Sequence, residues 1–406
     1  MKYVLIIPDG AADHPLEELG GRTAFEAADT PNIDRLSIDG RIGTVATTPP
    51  GMPCGSDVCC MSVLGYDPAK YHRGRAPLEA AALGIDIQPT DWIFRVNFVT
   101  VLDGVMADHS AGHISDREGR VLLTDFAKQI EQSGGLADVT LYPGVSYRNI
   151  MVDASGRHDY TSLKTTPPHD IPGEPIRRHL PAGGEGAAML QRLIADSEVI
   201  FADHEINRTR RELGELPATH LWPWGQGRKP EIASFESRFG LRGAMITAVD
   251  LLAGLASFIG WDRLEVPGQS SYHDTDYAAA GRCGIAALDH YDLVAIPIEA
   301  PDEASHAADA KTKVESLEAI DRHVVGPVLE ALRQRGNDWR VLLLPDHYTA
   351  VATRKHDPTP PPFALCGKNI HPVLGKPFTE KNAQASDLHV QHGHELMEYF
   401  LFGGLN

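Results

Sequence analysis

Apolar residues in this chain gather into short continuous runs near both ends and into mixed patterns between them. Three runs share one design: Tyr3–Asp9 (YVLIIPD), Leu293–Asp302 (LVAIPIEAPD) and Val341–Asp346 (VLLLPD). Runs of this length, rich in Leu, Ile and Val, suit strands buried on both faces, as in a parallel sheet. Proline then ends the ladder pairing, and an aspartate follows at the carboxyl end. In open α/β sheets ligands bind at that edge. Three distant segments are therefore expected to deliver Asp9, Asp302 and Asp346 to one crevice.

Elsewhere the period becomes helical. Ala310–Gln334 places Val314, Leu317, Ile320, Val324, Val325, Val328 and Leu332 on one stripe, and Ala244–Ile259 reads as another helix followed by a strand-like LEVPG. The ends of the chain thus read as doubly wound α/β. The middle holds strand-like FRVNFVTVL and DVTLYPGVSYRNIMVD, a Pro/Gly-rich stretch, and a helical AAMLQRLIADSEVI. At 406 residues two domains are expected. The pattern predicts a discontinuous core over 1–89 and 236–406 and an inserted smaller α+β domain over 90–235.

Composition narrows the partners. A net charge of −18 argues against nucleic acid and anionic membranes, without excluding a small anionic substrate held by a local cationic cleft. The five cysteines are scattered, with no C-x-x-C, which indicates a reducing compartment. The apolar start of MKYVLIIPDG is too short for a signal peptide or a membrane span. A cytoplasmic protein is expected.

The strand-end acids come with histidines. Asp302 and His306 are four apart, one helical turn; Asp346 and His347 are adjacent; His356 follows nine residues later. Mixed carboxylate and imidazole sets hold divalent ions. Ser56 lies in a Gly-Ser-Asp turn before the helical VCCMSVLGY. Alone it reads as a helix N-cap; beside metal ligands it reads as a nucleophile, at a helix start that favours anions. Cys54 is a weaker nucleophile candidate, since a thiolate beside two ions would ligate them. WPWG reads as packing and HGHEL as a surface helix.

Together these residues resemble the alkaline phosphatase superfamily and, within it, the archaeal-type 2,3-bisphosphoglycerate-independent phosphoglycerate mutases. The resemblance spans nearly the whole chain: the PDG start, EELGG-x-T, A-x-TPN-x-D, GSD…S-x-LGYDP, GRAPLEAA, AGHI, GVSYR, N-x-x-R, WPWGQG, RGAMITAVDLL, EAPDEASH and PDH. It implies an alkaline-phosphatase-like fold and two divalent ions (Mn²⁺, Zn²⁺, Co²⁺ or Mg²⁺), with no 2,3-bisphosphoglycerate. One ion site would comprise Asp302, His306 and His356; the other Asp9, Asp346 and His347, with Ser56 coordinating before phosphorylation. KHDPTPPPF keeps His356 and the proline-rich tail but not the usual surroundings.

The implied reaction interconverts 3- and 2-phosphoglycerate through phosphoserine on Ser56. The small phosphorylated substrate would be held by Arg210, Asn207, Arg148, Arg75, His109 and His113, with the inserted domain closing out water. The DHSAGH and GRAP forms resemble a bacterial branch associated with homoserine phosphorylation, so a phosphotransferase on such an acceptor is the alternative, as is a phosphomonoesterase. P-loop kinases are excluded by the missing G-x-x-x-x-G-K-[ST], and sulfatases by the missing C/S-x-P-x-R. Self-association into a homo-oligomer is left open.

Overall fold

The structure, a computed structural model, describes residues 1–132 and 138–403. The chain divides into two compact units: Met1–His72 with Ile232–Asn406, and Arg73–Glu231.

The first unit is built on an eight-stranded sheet centred on Lys2–Pro8. Leu293–Ile298 and Trp339–Leu343 lie parallel on either side of it. Gly243–Ile246 and Asp262–Leu264 extend one flank in parallel. On the other flank come antiparallel Pro362–Gly367, then Arg41–Val45 and His389–Val390. Leu5, Ile6 and Ile7 are fully buried, which is why the run is continuous rather than alternating. Register levels the carboxyl ends, with Pro8 opposite Ile298 and Ile6 opposite Leu343. Asp9, Glu299 and the Pro345-Asp346-His347 turn therefore leave the sheet at one edge.

Three local readings are corrected. Ala244–Ile259 is not one helix: Gly243–Ile246 is a buried strand on Leu293–Ala295, and the helix is Asp250–Phe258. Periodicity does not separate a short apolar strand from a buried helix turn. Ala310–Gln334 is interrupted by a π-helical turn, Asp321–Val325, before Gly326–Gln334. Pro327, at the second position of the last segment, lacks the N–H that a regular helix would use there. Pro297 does not end its strand, for it pairs with Ile7, and Asp302 comes instead from the helix Ala300–His306.

The second unit begins at Arg73, earlier than residue 90. Arg228 N–H donates to Arg73 O at 3.2 Å, and Gly74, at φ 102°, approaches the Gln226 carbonyl so closely that a Cβ would sit 2.5 Å from it. The helix Arg75–Ala82 follows. Trp92–Leu102 is the central strand, flanked by antiparallel Arg148–Asp153 and His220–Gly227, with Val139–Pro143 and Val105–Asp108 completing five strands. Phe94 and Phe98 pack with Phe126 of Asp116–Gln132 and Phe201 of Ala187–Ala202. Val99 and Val101 join Trp222 and Trp224 in a second cluster, so the WPWG tryptophans are core.

Candidate active site

Six sequence-predicted residues converge at the carboxyl edge of the first unit's sheet. His347 Nε2 lies 3.5 Å from Asp9 Oδ1 and 3.3 Å from Asp346 Oδ2. His306, one turn after Asp302, is 3.2 Å from its carboxylate. His356, on the short strand Lys355–Asp357, brings Nε2 to 3.0 Å from His306 Nε2 and 3.6 Å from Asp302 Oδ1. The His347 and His356 rings stack with centroids 4.2 Å apart, which joins the two groups. Ligand atoms of Asp9, Asp346 and His347 lie within 4.8 Å of one another, as do those of Asp302, His347 and His356.

The donor atoms are arranged for cations. His306 Nδ1 is 3.0 Å from Arg354 O, and His356 Nδ1 is 3.0 Å from Cys54 O. A carbonyl only accepts, so each Nδ1 carries hydrogen, and with both rings neutral two Nε2 lone pairs would face each other. Two acceptors at that separation need a proton or a metal ion between them. Asp9 Oδ1 and Glu299 Oε1 are likewise buried with no hydrogen-bond donor. These residues fit divalent ions.

Ser56 is the first residue of the helix Ser56–Val63, with Gly55 as N-cap, so its hydroxyl is not a cap. Ser56 Oγ instead lies 3.2 Å from Asp9 Oδ2 and 3.3 Å from His347 Nε2. All five cysteines are free; Cys60 Sγ faces Asp346 Oδ2 at 3.6 Å, and Cys54 Sγ faces Asp357 O at 3.5 Å. Glu299 has no Pro-Asp signature of its own in the sequence, standing two residues before Pro301-Asp302. It occupies the position before Ala300–His306, directly after the strand, and its side chain makes no cap hydrogen bond.

Charges at this edge are strongly displaced. Burial, then the charges of Asp346, Glu299 and Asp302, push the Asp9 carboxyl well up. Burial first, with Asp302 and Asp346 behind it, raises Glu299 to about 8. Burial would also raise Asp302, but the His306 hydrogen bond and the neighbouring imidazoles hold it at about 2. The same bond carries His306 up to about 9.

A pH dependence follows for the ion-free protein. Between about pH 6.5 and 8 the folded chain keeps protons on His306 and Glu299 that the unfolded chain, with ordinary values of 6.5 and 4.5, has lost. Cys54, drawn down to about 7 by the Cys59 thiol, works the other way but offsets only one of the two. The folded state therefore binds more protons, and its stability falls as pH rises through this window. The melting temperature of chelator-treated protein should drop from about pH 6.5 to about pH 8, and Mn²⁺ should reverse the drop. A flat or rising ion-free curve would contradict this electrostatic picture.

In the second unit two of the predicted substrate contacts, Arg210 and Asn207, have their polar atoms held by other groups of the same unit. The Arg210 side chain is 3% exposed, and its guanidinium donates to Leu216 O, Ala111 O and Glu118 Oε2 at 2.9–3.0 Å. Asn207 is fully buried, donating to Phe201 O and Ala218 O and accepting from Ala218 N–H. Their polar atoms are already engaged inside the unit, so both tie loops to the helix Glu205–Glu212. Arg210→Ala should cost about 3 kcal/mol by leaving two carboxylates, Glu118 and Glu215, and two carbonyls without their partner. Denaturant unfolding would measure that loss, while calorimetric Mn²⁺ binding should stay unchanged.

The remaining predicted residues gather with two that were missed, Arg95 and His169. The Arg95 guanidinium lies 4.1 Å over the Trp224 ring, and His169 stands 5.2 Å from the same ring. His169 and His109 are 6.2 Å apart. His109 and His113 stand edge-on to Tyr147, and Arg148 lies 5.4 Å over the same ring. Burial, then the charges of Arg75 and Arg148, draws Arg95 down against the raising effect of Glu79, 3.0 Å from its Nε. The signal for Arg95 was a lone charge inside the apolar run WIFRVNFV.

The family model described as 2,3-bisphosphoglycerate-independent phosphoglycerate mutase matches residues 38–207. A 2,3-bisphosphoglycerate-independent phosphoglycerate mutase 2 of Methanothermobacter thermautotrophicus is 42% identical over 401 residues, covering 99% of this chain and 97% of its own length. Its counterpart in Methanothrix thermoacetophila is 44% identical over 403 residues, covering 99% and 100%. Among solved structures, a protein from Pyrococcus horikoshii matches with a TM-score of 0.83 at 27% identity, covering 100% of this chain and 97% of its own. A cofactor-independent phosphoglycerate mutase from Thermoplasma acidophilum matches at 0.68 and 25% identity over 100% of both chains.

Proposed function

The chain belongs to the 2,3-bisphosphoglycerate-independent phosphoglycerate mutase family, and from that premise we propose that it interconverts 3-phosphoglycerate and 2-phosphoglycerate with Ser56 as the phosphoryl carrier. The observation that carries this reading is the Ser56 hydroxyl at a helix start, 3.2 Å from Asp9 Oδ2 and 3.3 Å from His347 Nε2. Asp9, Asp346 and His347 would hold one divalent ion, with Ser56 in reach, and Asp302, His306 and His356 the other. Such ions neutralise phosphoryl oxygens and lower the pKa of a nearby hydroxyl.

The chain's own groups then divide the work. Ser56 Oγ forms a bond to phosphorus as the substrate's ester P–O bond breaks, and its proton leaves along the hydrogen bond toward Asp9. The released alkoxide takes a proton, and the glycerate's other hydroxyl later attacks the phosphoserine in the reverse sense. Retaining glycerate between the two transfers requires cations for its carboxylate, and planar guanidinium groups suit that. Arg75, Arg95, Arg148, His109 and His169 are the candidates, with His113 at their margin; Arg210 and Asn207 are not. Mn²⁺, Co²⁺ or Zn²⁺ suits the mixed donor set better than Mg²⁺. We place the protein in the cytoplasm, in keeping with its free thiols; no described helix is long and apolar enough to cross a membrane.

The test is phosphorus NMR of protein, Mn²⁺ and 3-phosphoglycerate without bisphosphoglycerate. Formation of 2-phosphoglycerate without free phosphate is expected. Free phosphate alone, or no turnover with ions bound, would overturn the mutase reading.

A further inference from the structure

One buried hydroxyl touches both candidate ion sites. Thr349 is fully buried, and all of its polar atoms are engaged. Its N–H donates to Ala12 O at 3.2 Å, and its carbonyl accepts from Lys313 Nζ at 2.8 Å. Its hydroxyl lies 2.5 Å from Asp302 Oδ1 and 3.1 Å from His347 Nδ1. Alternation along an extended segment turns residues 347 and 349 to one face. The hairpin of Tyr348–Ala350 with Lys355–Asp357 pairs Thr349 with His356.

A threonine hydroxyl has one proton to donate and lone pairs to accept with. An ionised Asp302 only accepts, so the proton goes to it. The hydroxyl oxygen is then an acceptor toward His347, whose Nδ1 must carry the ring hydrogen. That leaves the lone pair on His347 Nε2, the atom facing Asp9, Asp346 and Ser56. One proton thus orients a carboxylate in one site and selects the tautomer of an imidazole in the other. The support behind it is stiff. Lys313 is fully buried, paired with Asp13 at 2.8 Å, and holds the Thr349 carbonyl against the loop that carries Asp9.

We propose that Thr349 is a positioning residue that couples the two ion sites, ordering Asp302 and His347 through a single hydroxyl. The inference rests on the two-ion reading above and names the residue that makes the sites interdependent. Partners of this kind that orient ligands are generally worth about 10- to 100-fold in metal affinity.

The experiment titrates Mn²⁺ into ion-free wild type, Thr349→Val and Thr349→Ser by calorimetry. Wild type is expected to take two ions. The isosteric Val variant should bind both at least tenfold more weakly, and Ser, which keeps the hydroxyl, should restore binding to within about threefold. A Val variant that binds both ions as tightly as wild type, or a Ser variant as defective as Val, would overturn the inference while leaving the two-ion reading standing. Wild type that takes up no ions would overturn that reading and this inference with it. Nitrogen-15 NMR of the His347 ring in ion-free wild type supplies an arm independent of variant folding: an Nδ1–H tautomer is expected, and an Nε2–H tautomer would overturn the proposal.

Discussion

Ser56→Ala should lower turnover by about 10⁴-fold or more while leaving divalent-ion binding nearly intact. On the proposed mechanism the substitution removes the atom that accepts the phosphoryl group. Asp9 and Asp346 would serve as ligands, and the Cys60 thiol is buried and turned to Asp346. Structural cost should be small. Gly55, not Ser56, caps the helix, and alanine is well accommodated in a first turn. Rapid quenching with radiolabelled substrate should show phosphoprotein in wild type and none in the variant. A variant retaining a few per cent of activity would sink the assignment of Ser56 as carrier.

Gly10→Ala should be the most damaging small substitution in the first unit. Gly10 follows the central strand at φ 57°, in the left-handed region. An added Cβ would lie 2.3 Å from Asp302 Oδ1 and 2.5 Å from Thr349 Oγ1, both buried. Backbone strain of about 1 kcal/mol and overpacking of about 1–3 kcal/mol add. For a unit of this size the melting temperature should fall by about 5–15 °C. The clash falls on Asp302, a ligand of one proposed ion site, and on the hydroxyl that orients it, and the Gly10 N–H also donates to Asp346 at 3.2 Å. Ion binding and turnover should therefore fail together, about tenfold or more. A variant with wild-type melting temperature and ion affinity would show that the loop relaxes freely.

Much of this site could be read from the chain because it rests on local rules. Continuous apolar runs announced the central strands, and the residues just past them had to emerge at the sheet's carboxyl edge. The spacing of Asp302 and His306 put them on one helical face, where they meet at 3.2 Å. The NRTR segment shows where such rules stop. Spacing places Asn207 and Arg210 on one face of a helix, and that face turned out to point inward, against Ala111, Glu118 and Leu216. Arg95 left only the trace of a lone charge in an apolar run, and His169 none, for the converse reason: each is a single residue whose partners come from distant segments. Gly243–Ile246 became a strand only because Leu293–Ala295 offered it a ladder.

By itself the sequence determined which acids and histidines meet at the sheet edge, a serine at a helix start, the parallel core and the interrupting second unit. Those features depend on residue type and on periods of two or 3.6, which act over a few neighbours. Only the tertiary structure decided which arginine is buried, that His347 belongs to both acid–histidine clusters, and that one buried threonine hydroxyl joins them. Such contacts are made between segments tens to hundreds of residues apart. Whether a polar side chain faces a partner or a cleft depends on what packs opposite it, and no local pattern in the chain encodes that.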